Sequence, residues 1–341
     1  MNSQSIIKSL SLENVQPVNL VLGNETYLME DVKKAFTNLI PEEERTMNLG
    51  KYDMEEVPLA KALDDAMSVP FFGDKRLVFI QNPYFLTSDT KKRKIEHDIE
   101  GFLNYLTHPE PTSIMVIFAP YKELDGRKKV SKQLKKSSLI IDNQPLNERD
   151  TRQFIAQEME NKSFEIDKNA LDLFLERTNS ELSIIMNELP KLFLYNFETH
   201  RITLSSVENL ISKTLEQNIF DLVDVVISNN IEKSVTLYHD LILQNEEPIK
   251  INAILLGQFR LLLQVKILQD KGYSQGDLAS VLKVHPYRIK LALQKVKKFN
   301  RHDLRKIYLA LIDLEKTMKT TQQDQEGLFS LFMLKINQVN A

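Results

Sequence analysis

Four short runs within the first 140 residues are almost uninterruptedly apolar: Asn19-Leu-Val-Leu22, Leu77-Val-Phe-Ile80, Ser113-Ile-Met-Val-Ile-Phe118 and Leu139-Ile-Ile141. A strand with one wet face alternates apolar and polar residues, whereas a strand of a parallel sheet covered on both sides reads as a continuous apolar run. The covering layers are legible between the runs, where residues 27–40 and 57–67 carry apolar side chains at helical spacing. In the second segment Leu59, Ala60, Leu63, Ala66 and Met67 are expected on one face, with Pro58 in the first turn. Strand–helix alternation specifies an α/β layered domain with a parallel sheet.

Past Ile141 the texture changes. No glycine occurs between Gly126 and Gly257 and strand-like runs cease, so the remainder reads as helix. Pro145-Leu-Asn-Glu-Arg-Asp150 punctuates a first boundary. A helical segment then runs to about residue 211, with a short extended piece at Arg201-Ile-Thr-Leu204, and a second boundary is expected at 213–218. Amphipathic helices follow, broken at Asn229-Asn230, at 246–248, at Lys271-Gly272 and at 298–302. A chain of 341 residues exceeds one ordinary core. Three domains are expected: an α/β domain over 1–142 and two all-α domains over 143–212 and 213–341. In the last, the stripe of Leu255, Leu256, Phe259, Leu262 and Leu263 is expected to exceed what one small bundle buries.

Several chemistries are excluded or lack support. Cysteine is absent, which removes disulfides, thiolate zinc sites and cysteine nucleophiles and suits a cytoplasmic protein. No run approaches the roughly 18 apolar residues of a membrane span, and the start lacks the marks of a secretory signal. The position after the first strand, Gly23-Asn-Glu-Thr-Tyr-Leu-Met-Glu30, has one glycine, no lysine and two carboxylates where a phosphate loop needs paired glycines and a Gly-Lys-Ser/Thr ending. Six scattered histidines show no metal-ligand spacing and there is no nucleophile elbow. No catalytic residue, cofactor or metal is expected.

Two constellations carry information. The first is Val69-Pro-Phe-Phe-Gly-Asp-Lys-Arg76, between the end of a helix and the start of a strand. Phe71 and Phe72, beside Val69 and Pro70, either pack beneath the loop as a satellite core or project to meet another protein. The second spans residues 272–295, where Leu278, Ala279 and Leu282 mark a short helix, Val284-His-Pro286 a turn, and Ile289, Leu291 and Leu293 a second helix. This pattern serves a DNA-reading helix-turn-helix or a purely structural packing turn. Arg288, Lys290, Lys297, Lys298 and Arg301 surround it with positive charge. Charge is unevenly spread: Lys and Arg number 19 against 20 Asp and Glu in residues 1–140, 7 against 13 in 141–210, and 18 against 14 in 211–341.

The order and spacing of several strings resemble the delta subunit of the bacterial DNA polymerase III clamp loader, of the Gram-positive type. They are Leu20-Val-Leu-Gly-Asn-Glu-Thr-Tyr-Leu28, Val69-Pro-Phe-Phe-Gly-Asp-Lys-Arg-Leu-Val78, Leu124-Asp-Gly-Arg-Lys-Lys129, Asn187-Glu-Leu-Pro-Lys-Leu192, Ile219-Phe-Asp-Leu-Val223, Asn245-Glu-Glu-Pro-Ile-Lys-Ile251, Gln258-Phe-Arg-Leu-Leu-Leu263 and Val284-His-Pro-Tyr-Arg-Ile-Lys-Leu-Ala-Leu293. The resemblance implies a degenerate AAA+-like α/β domain, a helical lid and a helical collar for oligomerisation. It implies binding and opening of the beta sliding clamp, through a wedge carried over here to Val69, Pro70, Phe71 and Phe72, without ATP hydrolysis by this chain. The implied partners are the clamp, tau/gamma and delta-prime type subunits, and primer-template DNA through the complex. Arg288, Lys290, Lys297, Lys298 and Arg301 are candidates for DNA backbone contacts. The alternative is a helix-turn-helix DNA-binding regulator.

Overall fold

The continuous apolar runs are strands of one sheet, and the three central ones are buried along nearly their whole length. In the computed structural model, which describes residues 6–7, 9–71, 73–88, 95–213, 215–297 and 299–338, they are β1 (Val18–Leu22), β3 (Arg76–Gln81), β4 (Ser113–Ala119) and β5 (Leu139–Asp142). A further strand, β2 (Leu49–Asp53), completes a parallel sheet of order β2-β3-β4-β1-β5. Its Leu-Gly-Lys-Tyr-Asp sequence carries little apolar signal since it is an edge strand that pairs only with β3. The covering helices are α1 (Thr26–Thr37), α2 (Leu59–Ala66), α3 (Ile99–Thr107) and α4 (Lys129–Ser137).

Alternate side chains divide between two cores. Val18, Leu20, Val78, Ile80, Met115 and Ile117 meet Leu59, Leu63, Phe102 and Leu134 on one side, and Val21, Leu77, Phe79, Val116 and Phe118 meet Val32 and Phe36 on the other. Each such side chain contributes about 1.5–3 kcal/mol when removed from water. The helix expected over 57–67 is shorter than its pattern. Pro58, expected in the first turn, is instead the extended N-cap residue of α2. Ala62 takes the buried place expected of Ala60, and Met67 lies beyond the last turn with 55% of its surface exposed.

The chain divides into two compact units, residues 1–146 with 181–186, and residues 147–180 with 187–341. The second unit begins with α5 (Glu148–Lys162), whose first turn is capped by Asn147 accepting from the Asp150 amide at 3.0 Å. It continues through α6 (Lys168–Arg177), α7 (Leu182–Tyr195, whose first residues belong to the other unit) and α8 (Leu204–Leu210). The extended piece foreseen at 201–204 is a two-residue strand, Arg201–Ile202, and it pairs in parallel with Glu165–Ile166. Then come α9 (Leu215–Ile227), α10 (Ile231–Leu243), α11 (Pro248–Gln269), α12 (Gln275–Leu282), α13 (Pro286–Val296), α14 (Arg301–Thr320) and α15 (Gln325–Gln338). The breaks lie where polar turn residues foretell them: Asn229 and Gly272 adopt positive φ, while Asn230 and Asn300 cap the next helices.

The stripe on α11 is not surplus. Leu255, Phe259 and Leu262 are buried in the bundle core, with Leu256 and Leu263 half-buried against it. By length and composition α11 is apolar enough to cross a membrane. Its packing on α9, α13 and α14 is that of a central helix, apolar on most of its circumference. Exposed apolar side chains of this region lie instead on α14 (Leu309, Ile312) and α15 (Leu331, Leu334), with isolated ones at Leu243, Tyr273 and Val281.

Candidate functional site

The loop between α2 and β3 joins a fixed frame to an exposed tip. Helix α2 stops at Ala66, where the Ser68 amide closes onto the Asp65 carbonyl at 3.1 Å and the Ser68 hydroxyl donates to the Asp64 carbonyl at 2.7 Å. Pro70 bars the helix from continuing. At the far end Gly73 turns with φ +74°, a left-handed conformation that favours glycine. Lys75 then donates to the Pro111 carbonyl at 2.7 Å and the Arg76 amide to the Thr112 carbonyl at 2.9 Å. Beneath the loop Arg76 is ion-paired with Asp65, both side chains largely buried, the two lying at the ends of the helix and strand that the loop connects. Burial, reinforced by the neighbouring Asp65 carboxylate, pushes the Tyr52 phenol up to about 12.

Midway, the Phe71 amide donates to the Asn48 side-chain oxygen at 2.9 Å, and Asn48 is fully buried. The backbone is thereby held while the apolar side chains point outward: Val69 is 80% exposed and Phe71 61%. Pro70 is half-buried, and Phe72 lies outside the described residues. The satellite-core alternative therefore does not hold for Val69 and Phe71. Met47, next to Asn48 in sequence, and Met67 are likewise exposed. Sequence reasoning missed Met47 and Asn48 because they are twenty residues upstream, on the helical turn before β2.

The degenerate phosphate position lies at the opposite edge of the sheet. The exposed loop precedes β3, whereas the Gly23 turn follows β1, and all strands run the same way. A six-residue strand separates the two edges by about 20 Å. At the Gly23 turn three of the amides nearest to where a phosphate would lie are taken by protein groups. Gly23 N–H donates to the Ala119 carbonyl (3.1 Å), Glu25 N–H to the Asn143 carbonyl (3.1 Å) and Tyr27 N–H to the Ser183 hydroxyl (3.1 Å). The Ser183 hydroxyl in turn donates to the Glu25 carboxylate at 2.6 Å. Gly23, at φ +135°, lies so close to the Asn143 backbone that a Cβ would sit 2.1 Å from it. Among the described residues no group of acidic or histidine side chains is arranged to hold a metal ion.

The basic stretch is dispersed in role. A capping box between Ser274 and Asp277 starts α12, and Lys283, at φ 54°, ends it. The face of α13 that enters the core is Ile289, Ala292 and Val296, with the expected Leu291 and Leu293 on its flanks. Lys290 binds Glu148 at 2.5 Å, and Glu148 also pairs with Arg152. These cationic partners hold the Glu148 carboxyl below its ordinary range against the opposing effect of burial. Tyr287 and Arg288 are half-buried, so the first turn of α13, which a DNA-reading helix would present, is largely spent on internal packing. Lys297 and Arg301 are exposed, and Lys298 lies outside the described residues.

Comparison with known proteins bears on the whole length. Residues 20–144 match the family model of the DNA polymerase III delta subunit, residues 216–336 that of its C-terminal domain, and residues 147–209 a model described as a middle domain. The DNA polymerase III subunit delta of Bacillus subtilis (strain 168) is 39% identical over 330 residues, 96% of this chain and 95% of that protein. A probable DNA polymerase III subunit delta of Aquifex aeolicus (strain VF5) is 26% identical over 167 residues, 48% of each chain. The solved structure of the Bacillus subtilis DNA clamp loader delta protein superposes with a TM-score of 0.77 at 37% identity, covering 98% of both chains. With delta-subunit family models matching both ends of the chain, a nearly full-length relative at 39% identity and a solved structure of the same fold, the chain belongs to the DNA polymerase III delta-subunit family.

Proposed function

We propose that this chain is the subunit of a DNA polymerase III clamp loader that grips and opens the beta sliding clamp, with Val69, Pro70, Phe71 and Phe72 as the wedge. The observation that carries the reading is the pair of exposed side chains, Val69 and Phe71, on a loop whose backbone is tied at both ends and at its middle. An apolar tip held in place loses little conformational entropy on entering a pocket, so more of its burial appears as affinity. If the pocket is better formed when the ring is open, binding shifts the ring toward the open state by that difference in affinity.

In this reading residues 1–142 are the clamp-contacting domain, 143–212 the lid and 213–341 the collar, which joins tau/gamma and delta-prime type subunits through exposed apolar residues on α14 and α15. The chain contributes no ATP turnover, in keeping with the amides already engaged around Gly23. Lys297, Lys298 and Arg301 remain candidate contacts to primer-template phosphates, and Arg288 and Lys290 are weaker ones because of their internal engagement. The work is carried out in the cytoplasm, where replication proceeds. The test is titration of a fluorescently labelled clamp with the wild-type chain and with Val69→Ala/Phe71→Ala. Retained affinity in a folded double variant removes the wedge assignment.

The helix-turn-helix regulator is not favoured, since Tyr287 and Arg288 in the first turn of α13 are half-buried and Lys290 in the next turn is paired with Glu148 of α5.

A further inference from the structure

A second charged surface lies on the first unit, in a segment of the sequence separate from the C-terminal basic stretch. Between residues 122 and 138 there are seven Lys or Arg against two Asp or Glu, while the rest of 1–140 carries twelve against eighteen. The charge is concentrated on α4, where Val130, Ser131 and Leu134 face the core and Lys129, Lys132, Lys135 and Lys136 face water. Arg127 is engaged by Asp125 and Lys128 by the Phe85 carbonyl. The ammonium groups of the four lysines of α4 form no ion pair or hydrogen bond with any described residue.

Helix stability does not account for this arrangement. Lys135 and Lys136 at the C-terminal end suit the helix dipole, but Lys129 and Lys132 lie in its N-terminal half, where cations are unfavourable, and no acidic residue occupies the first turn. Lys129 with Lys132, Lys132 with Lys135, and Lys132 with Lys136 are like-charge pairs at i,i+3 or i,i+4 spacing, which weaken a helix. The face also lacks what a protein partner needs. Its other outward residues are Gln133 and Ser137, and no aromatic or apolar anchor stands among the lysines. From Lys129 to Lys136 the helix advances about 10 Å, against roughly one phosphate per 3.4 Å along each strand of duplex DNA.

We propose that the outer face of α4, through Lys129, Lys132, Lys135 and Lys136, binds the phosphate backbone of duplex DNA without reading its sequence. The choice of DNA over another polyanion rests on the proposed role of the chain in a clamp loader. Such a face raises the local concentration of DNA beside the domain that carries the apolar tip, and its strength falls steeply with salt through counterion release.

The experiment is an anisotropy titration of a fluorescein-labelled DNA duplex with the full chain, from about 50 to about 200 mM salt. It compares wild type with Lys129→Gln/Lys132→Gln/Lys135→Gln/Lys136→Gln. The expected result is a plot of log affinity against log salt shallower by about 3–4 in the variant, with at least about a tenfold loss at low salt and an unchanged melting temperature. If the fourfold variant loses its melting transition, Lys132→Gln/Lys136→Gln is used, with a slope shallower by about 2. An unchanged slope, a wild-type chain that ignores the duplex, or equal binding of polyglutamate of matched charge overturns the proposal. Clamp retention by the wild-type chain is measured alongside. Its failure while the DNA slope still responds sinks the clamp reading and leaves this one standing.

Discussion

The buried side-chain oxygen of Asn48 accepts the amide of Phe71 at 2.9 Å, so a residue before β2 fixes the middle of a loop that leads into β3. Asn48→Ala removes that acceptor while leaving Val69 and Phe71 in place. The expected stability loss is about 1–2 kcal/mol. Clamp affinity is expected to fall by a smaller factor than when the ring of Phe71 itself is removed. Chemical denaturation and clamp titration on the same variant separate the two effects, and equal losses from both substitutions would show that the ring has no privileged role.

Phe71→Ala alone is expected to weaken clamp binding roughly 30-fold, corresponding to about 2 kcal/mol for an interface anchor. Its melting temperature is expected to stay close to wild type, because the ring is 61% exposed and leaves no cavity. A large drop in melting temperature is the outcome that would reassign the ring to the domain's own core.

Gly23→Ala is expected to be among the most damaging single changes in the first unit. The residue has φ +135° and a Cβ would meet the Asn143 backbone, which cannot swing aside as a side chain can. A loss of about 3 kcal/mol or more is expected from strain and displaced packing together. Circular dichroism melts of this variant beside Gly126→Ala, where a Cβ meets nothing within 4 Å, provide the comparison.

Acid should destabilise the first unit through His97. Its ring accepts the Leu59 amide at Nδ1 (3.1 Å) and its Nε2 lies 2.8 Å from the Tyr84 hydroxyl, and burial lowers its pKa. With the folded pKa below the unfolded value of about 6.5, the unfolded state takes up the proton first. This contribution to stability is present above pH ~6.5 and is lost as pH falls toward the folded pKa. Melting temperature measured from pH 7.5 to 5, with His97→Gln as control, is expected to fall less for the variant than for wild type. Parallel curves would remove His97 as the cause.

Leu309→Asp with Leu331→Asp is expected to abolish association with the other loader subunits while leaving the isolated chain folded, since both side chains are about half exposed. Size-exclusion of the variant with those subunits tests it. Normal co-elution would move the assembly surface away from α14 and α15.

The parallel sheet was legible because β1, β3 and β4 are buried on both faces and their apolar runs have no gap, while the half-buried edge strand β5 keeps an unbroken Leu-Ile-Ile run. β2 was not, because an edge strand with a half-buried Leu-Gly-Lys-Tyr-Asp sequence resembles a loop. The stripe on α11 was legible as apolar, but its destination was not: periodicity tells which residues leave water and says nothing about whether a neighbouring helix or another subunit receives them. The exposed loop was placed by its nine-residue gap between helix and strand. Its supports, Asn48 and the Asp65–Arg76 pair, come into view only when the chain is folded.

The two edges of the sheet had separate fates open to them. The Gly23 turn, closed onto Asn143 and Ser183, lies at the carboxyl ends of the strands, a full strand length from the residues that present Phe71. A change at one end of the sheet therefore has no side chain in common with the other, so the turn after β1 and the loop before β3 can vary independently of each other.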